Sequence, residues 1–214
     1  VYFEPLSYVD FVNDARRSIA DRYSAGGLCT CEVVKREPPK NLSFEEQGEL
    51  DEATGIVREI VESIHGHLVD DNSDVKFSER FSDGDHLVDV KNIASGMKTM
   101  AAIVRAVENR SVRRGSLLII DEPESNLHPQ WQVEFANFLV LMAKRLEISV
   151  LLNTHSPYFL RAITVYSKAQ GVLNRCYCMT NDGNGDSYHA EEVSNNIERI
   201  YSEMAKPFHD LMAQ

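Results

Sequence analysis

The chain has 214 residues and a mass of 24.2 kDa, with 43% apolar, 26% charged and 8% aromatic residues. That suits one medium domain, or one domain with a subdomain inserted, and excludes wholesale disorder. The longest unbroken apolar run, Phe138 to Ala143, is far too short to cross a membrane. No basic segment followed by an apolar core opens the chain, so a cytoplasmic protein with no membrane contact is expected. The net charge is −11, and residues 45–90, with 14 acidic and 3 basic side chains, account for all of it. A nucleic-acid surface is basic, so this block reads as a solvated helix face, with a local basic groove elsewhere left open.

In chain order, the spacing of Tyr8, Phe11, Val12, Ala15 and Ile19 predicts a helix over 8–23. Residues 24–42, with Gly26-Gly27 and Pro38-Pro39, read as a loop. Ser43 with Glu46 is a capping-box pattern opening an acidic helix that could run to about Leu68. After a polar break at 70–74, Val75-Lys76-Phe77 and His86 to Val90 flank a turn at 82–85, a hairpin. Residues 97–109 are helical in pattern. Leu117 to Ile120 is a strand expected to be buried on both faces. Pro129 opens a long helix with a stripe of Trp131, Phe135, Phe138, Leu139, Met142 and Leu146. Ser149 to Asn153 is a second buried strand, so strand, helix and strand form a parallel unit. A helix over 157–167, a strand near 175–179, a polar turn at 181–186 and a last helix from about Ser194 follow.

The cysteines form two Cys-x-Cys pairs, Cys29/Cys31 and Cys176/Cys178. Four thiolates could hold zinc, but the usual spacing is Cys-x-x-Cys, and Cys176 and Cys178 look like alternate residues of a strand.

The chemistry concentrates in three stretches. Leu117 to Ile120 ends in Asp121-Glu122-Pro123, which puts two carboxylates at the carboxyl edge of a parallel sheet, where open α/β sheets bind ligands. One can hold magnesium and the other can take a proton from an attacking water. An acidic strand end by itself is common. Its context is Glu124-Ser125-Asn126-Leu127-His128-Pro129, then Asn153-Thr154-His155-Ser156-Pro157 after the neighbouring strand, which sets His155 beside the acids. The third stretch, Asn92 to Lys98, puts Ser95 and Gly96 at a helix start, where backbone N–H groups can meet an anion; a plain helix cap explains it nearly as well.

Together, Ser-Gly-x-Lys at a helix start, Leu-Leu-Ile-Ile-Asp-Glu-Pro-Glu-Ser-Asn-Leu-His-Pro and Thr-His-Ser-Pro resemble the ABC-class ATPases. The forms are most similar to the soluble, AAA-type branch that includes OLD, RecF-like and chromosome-maintenance (SMC-like) ATPases and anti-phage ATPase subunits. The resemblance is sharp over about residues 86–165. It implies an α/β fold with a P-loop NTPase-like (ABC-type) parallel sheet flanked by helices. Residues 86–214 would be the ATPase core half, and residues 1–85 an N-terminal helical lobe or inserted arm. It further implies ATP and Mg2+ as cofactors, with Asp121 as the Walker B metal residue, Glu122 as general base and His155 as switch histidine. Ser125 and Asn126, with Leu127 and His128, would form the D-loop at a homodimer interface. Ser95 and Gly96 would belong to the signature motif, which contacts ATP bound to the opposite protomer. A nuclease partner or nucleic acid, in DNA maintenance or anti-phage defence, would receive the output.

Two departures qualify the match. Ala94 stands where the signature serine is expected, and Met97 replaces a polar residue. No Gly-x-x-x-x-Gly-Lys-Ser/Thr loop occurs in the sequence, and Gly96-Met97-Lys98-Thr99 only echoes one. The expectation is therefore the C-terminal part of a longer ATPase, with little activity in this chain alone. The alternatives are a non-catalytic interaction or dimerisation lobe and a transporter's ATP-binding subunit.

Overall fold

The structure, a computed structural model, describes residues 2–3, 39–62, 66–71, 74–81, 84–89, 95–181 and 188–212. The helix expected over 8–23, Cys29 and Cys31, and the turn residues Asp182 and Asp186 lie outside that set.

The described chain begins with β1 (Tyr2–Phe3) and α1 (Phe44–Glu62). The capping box forms as expected: Ser43 N–H donates to Glu46 Oε2 at 2.9 Å, and Glu46 N–H donates to Ser43 Oγ at 3.2 Å. The helix stops at Glu62 rather than near Leu68, and Gly66 to Asp71 is a strand, β2. Glycine is a poor helix residue, and Leu68 and Val69 suit a pleated surface, so tertiary pairing decides the segment. β2 pairs antiparallel with β3 (Asp74–Phe81), which pairs antiparallel with β4 (Gly84–Asp89). The expected hairpin is thus present as the second half of a meander, with Gly84 at φ 132°, which side-chain-bearing residues rarely adopt.

α2 (Ser95–Glu108) leads to β5 (Leu117–Ile120), α3 (Pro129–Arg145) and β6 (Ser149–Leu152). β5 lies between β1 and β6 and is parallel to both, with Leu117 opposite Ser149 and Ile120 opposite Leu152. α4 (Pro157–Gln170) then packs on α3. β7 (Tyr177–Asn181) and β8 (Tyr188–Glu192) form a separate antiparallel pair. Sequence reading did not foresee β8, whose Tyr-His-Ala-Glu-Glu lacks an apolar alternation. Cys178 lies in β7, and both Cys176 and Cys178 are free thiols. α5 (Glu198–Met212) closes the described chain and carries Pro207 inside it.

The core joins α1, α2, α3 and α4 to one face of the parallel sheet. Leu118 and Ile120 of β5 are buried against it, together with Ile103, Val107, Phe135, Phe138, Leu139, Met142 and Phe159. Phe135 contacts Phe138 and Phe159 at ring-centroid distances of 6.1 Å, edge-on to Phe159. The expectation that β5 and β6 are buried on both faces is not met. Leu117 is 49% and Leu151 56% exposed. Successive residues of a strand point to opposite faces, and the buried cluster takes in only the Leu118 and Ile120 side of β5. α1 contributes Val57 and Ile60 to the core. At its rim Arg110 reaches Glu46 and Glu49 at 3.5 and 3.2 Å, and Arg145 reaches Glu59 at 2.6 Å. Part of the acidic block is therefore answered by arginines of the core. Among the described residues, no helix is long and apolar enough to cross a membrane.

Candidate functional site

Because β5 and β6 are parallel and in register, the chain leaves both at the same sheet edge. Asp121 and Glu122 follow β5, and Asn153, Thr154 and His155 follow β6. Glu122 turns the chain with φ 41°, in the left-handed region where a Cβ is crowded. Two hydrogen bonds hold that turn. Glu122 N–H donates to Asn153 Oδ1 at 2.8 Å, and Ser125 N–H donates to the Glu122 carbonyl at 3.0 Å.

The turn brings the Glu122 carboxylate to its neighbours. Ser125 Oγ donates to Glu122 Oε2 at 3.1 Å, and His155 Nε2 stands 3.6 Å from Glu122 Oε1. The His155 and Glu122 side chains are 84% and 44% exposed, so water reaches both. A carboxylate, a hydroxyl and an imidazole converge there at a wet strand edge, a set able to take and pass a proton.

Beneath them Glu124 is 8% exposed. Its Oε1 accepts from Thr154 Oγ1 at 2.5 Å, His155 N–H at 3.0 Å and Ser156 N–H at 3.2 Å. Its Oε2 is buried and has no hydrogen-bond partner among the described residues. Ser156 caps α4, accepting from Phe159 N–H at 3.3 Å, with Pro157 at the first helical position. Ser156 Oγ also donates to Gln132 Oε1, and Gln132 Nε2 donates to the Leu127 carbonyl at 2.9 Å. Exposed Asn126 bends the turn at φ 61°, and His128 Nδ1 caps α3 by accepting from Gln130 N–H at 3.3 Å.

The structure thus brings Glu122, Ser125 and His155 together, with Asp121 next in chain and Asn126 on the same turn. Ser95 and Gly96 begin α2 as the helix-start reading expects, and the Ser95 side chain lies outside the described part of the structure. Sequence reading gave no role to Glu124, Asn153 or Gln132. Thr154, Ser156 and a helix opening at Pro157 supply donors that need an acceptor, but nothing in the spacing singles out Glu124 from Asp121 and Glu122, which lie nearer the end of β5.

Asp121 is half-buried at the strand end, and among the described residues no hydrogen bond occupies its carboxylate. No group of three or more His, Cys, Asp or Glu side chains there forms a metal cage. Magnesium uses one or two carboxylates and takes its remaining ligands from water and phosphate oxygens, so Asp121 at an open edge fits that ion with a nucleotide.

Residues 12–161, well over half of the chain, match the family described as "AAA domain, putative AbiEii toxin, Type IV TA system". The chain belongs to this AAA family. The match ends at Arg161, so it takes in the whole Asp121 to Ser156 site. A parallel β5–α3–β6 unit with its acids at the carboxyl edge is the α/β, P-loop NTPase-like architecture that the ABC-type resemblance implies. Among curated proteins, the lipoprotein-releasing system ATP-binding protein LolD of Neorickettsia sennetsu is 33% identical over 72 residues. That stretch is 34% of this chain and 30% of LolD, so the chain spans less than a third of that relative. Two solved structures are also similar. One comes from work on the ATP-driven dimerization and DNA stimulated activation of SMC ATPases (TM-score 0.47, 11% identity, 73% of this chain and 91% of that one). The other is the Smc head domain from Pyrococcus furiosus with an extended coiled coil, bound to the C-terminal domain of ScpA (TM-score 0.41, 10% identity, 75% and 39%).

Proposed function

We propose that this chain is the Walker B, signature and switch part of an ATPase that dimerises around ATP. The observation that carries the reading is the Glu122 carboxylate, held at the end of β5 between Ser125 Oγ and His155 Nε2. Glu122 accepts the proton of the attacking water, and His155 beside it contacts the terminal phosphate. Asp121 holds the magnesium ion, which when bound neutralises charge on the phosphates. The turn from Ser125 to His128, exposed at Asn126 and His128, faces the second protomer, and Ser95 and Gly96 serve the nucleotide held by that protomer. The output is a conformational change passed to a nuclease partner or to nucleic acid. The absence of a Gly-x-x-x-x-Gly-Lys-Ser/Thr loop from these 214 residues supports a second reading, an interaction lobe without catalysis.

One pair of substitutions in the full-length protein separates these readings. Glu122→Gln should stop turnover, keep ATP binding and accumulate the ATP-bound dimer. Asp121→Asn should weaken magnesium-dependent binding as well. Single-turnover hydrolysis with size analysis in ATP reads both. If neither substitution changes ATP binding, turnover or assembly, the interaction-lobe reading stands instead.

A further inference from the structure

We infer that Glu124 is a positioning residue: its buried carboxylate fixes the backbone from Thr154 to Ser156 and so sets the His155 imidazole against Glu122. The inference rests on the roles proposed above for Glu122 and His155.

The His155 side chain is 84% exposed, so no packing holds the ring. Its position is therefore set by its own backbone, and one oxygen gathers the donors of that backbone. Glu124 Oε1 takes the N–H of His155 itself at 3.0 Å, the N–H of Ser156 at 3.2 Å and the hydroxyl of Thr154 at 2.5 Å. Ser156 N–H also donates to Thr154 Oγ1 at 3.0 Å, a hydroxyl itself held by Glu124, while the Ser156 hydroxyl and carbonyl tie the far side of the segment to α4. The donors sit at the opening of the 14-residue α4, whose N-terminal dipole favours a negative charge there. Charge-assisted bonds are shorter and stiffer than neutral ones, which suits a carboxylate to this placement.

As a device for folding alone, the carboxylate would be a poor choice. Its Oε2 is buried without a partner among the described residues, an arrangement that costs stability. A neutral side chain of the same shape would meet the same N–H groups without burying a charge. What the charge adds is rigidity at the residue that must lie 3.6 Å from Glu122 Oε1. Small misplacements of catalytic groups are costly, on the order of 100-fold for about 1 Å.

The test is a double-mutant cycle in the full-length ATPase, with ATP turnover and amide exchange as readouts. Glu124→Gln should lower kcat by about 10- to 100-fold and leave KM for ATP within about threefold. In a His155→Ala background the same substitution should change kcat by less than about twofold, because a residue acting through His155 has nothing left to position. Hydrogen exchange at the His155 and Ser156 amides should speed up by about tenfold or more in Glu124→Gln, while core amides of α3 stay protected. Thr154→Val, which removes a single donor, should shift both readouts in the same direction by less, and it carries the cycle if Glu124→Gln does not fold. Equal losses of kcat in both backgrounds would make Glu124 a support of the fold and overturn the inference, as would unchanged exchange at His155 and Ser156. Normal turnover in His155→Ala would overturn the role proposed for His155, and the inference with it.

Discussion

The turn at Glu122 gives a stability order that runs against the usual one. At an ordinary position glycine is the less stable choice than alanine by about 0.5–1 kcal/mol, because it loses more chain entropy on folding. Glu122 sits at φ 41°, where a Cβ costs about 1–2 kcal/mol that glycine avoids. Replacing the side chain loses the Ser125 Oγ contact at 3.1 Å, about 1 kcal/mol at this half-exposed site, in either variant. The 3.6 Å approach of His155 adds little, since both side chains are open to water. Glu122→Gly should therefore equal or exceed Glu122→Ala in stability by about 0–1 kcal/mol and lie within about 1 kcal/mol of the parent. Both should lose about two to four orders of magnitude in hydrolysis with Glu122→Gln, the usual contribution of a positioned base. Urea unfolding of the three variants, paired with single-turnover hydrolysis in the full-length protein, reads the two effects separately. If Glu122→Gly is clearly less stable than Glu122→Ala, the backbone at this turn carries no strain and the reasoning from φ fails. Near-normal hydrolysis in Glu122→Gln would show that another group activates the water.

Three further outcomes are expected. Phe159→Ala should destabilise the chain by about 3–5 kcal/mol in denaturant unfolding, since the ring is fully buried beside Phe135 at the first turn of α4; a loss under about 1 kcal/mol would mean that this core is not formed. The Ser43 backbone N–H, then its hydroxyl, hold the Glu46 carboxyl below its ordinary range, with a smaller contribution from Arg110. The folded value lies below the unfolded one, so the capping box contributes in full above the unfolded carboxylate range and is lost as pH falls through the folded value. Ser43→Ala removes the hydroxyl and keeps the backbone N–H, so it should raise the Glu46 titration seen by NMR part of the way, and an unmoved titration would refute the hydroxyl's share of the cap. Calorimetry of this 214-residue chain with Mg-ATP should show weak binding, because Asp121 does not replace a backbone phosphate cradle and its lysine; micromolar affinity would contradict that.

The parts legible in the sequence are those where local chemistry and tertiary packing agree. Pro129 and Pro157 open helices, and the Trp131 to Leu146 stripe faces the core, with Phe135, Phe138, Leu139 and Met142 wholly buried. The short apolar runs at 117–120 and 149–152 pair in parallel, which brings Glu122 beside His155. Where the two levels compete, the reading slipped. The helical pattern carried past Glu62 because Val61 and Leu68 keep an apolar rhythm, while sheet pairing with β3 fixes 66–71 as a strand. A run such as Leu-Leu-Ile-Ile does not say which faces are covered, so the exposure of Leu117 was invisible. Glu124 was invisible for another reason. A side chain whose partners are backbone N–H groups about 30 residues away leaves no trace in spacing.

The helix α3 also has a mechanical meaning. Its first turn belongs to the site: His128 caps it, and Gln132 ties the Leu127 carbonyl to Ser156. Its last residue, Arg145, grips Glu59 of α1. Between them Phe135, Phe138, Leu139 and Met142 are wholly buried, so the core holds the 17-residue helix along its length. At 1.5 Å per residue it is about 25 Å long. A tilt of about 5° fixed at the site end would carry the far end by about 2 Å, enough to shift α1 and its negative outer face. α3 thus joins the site to α1 through one continuously packed helix.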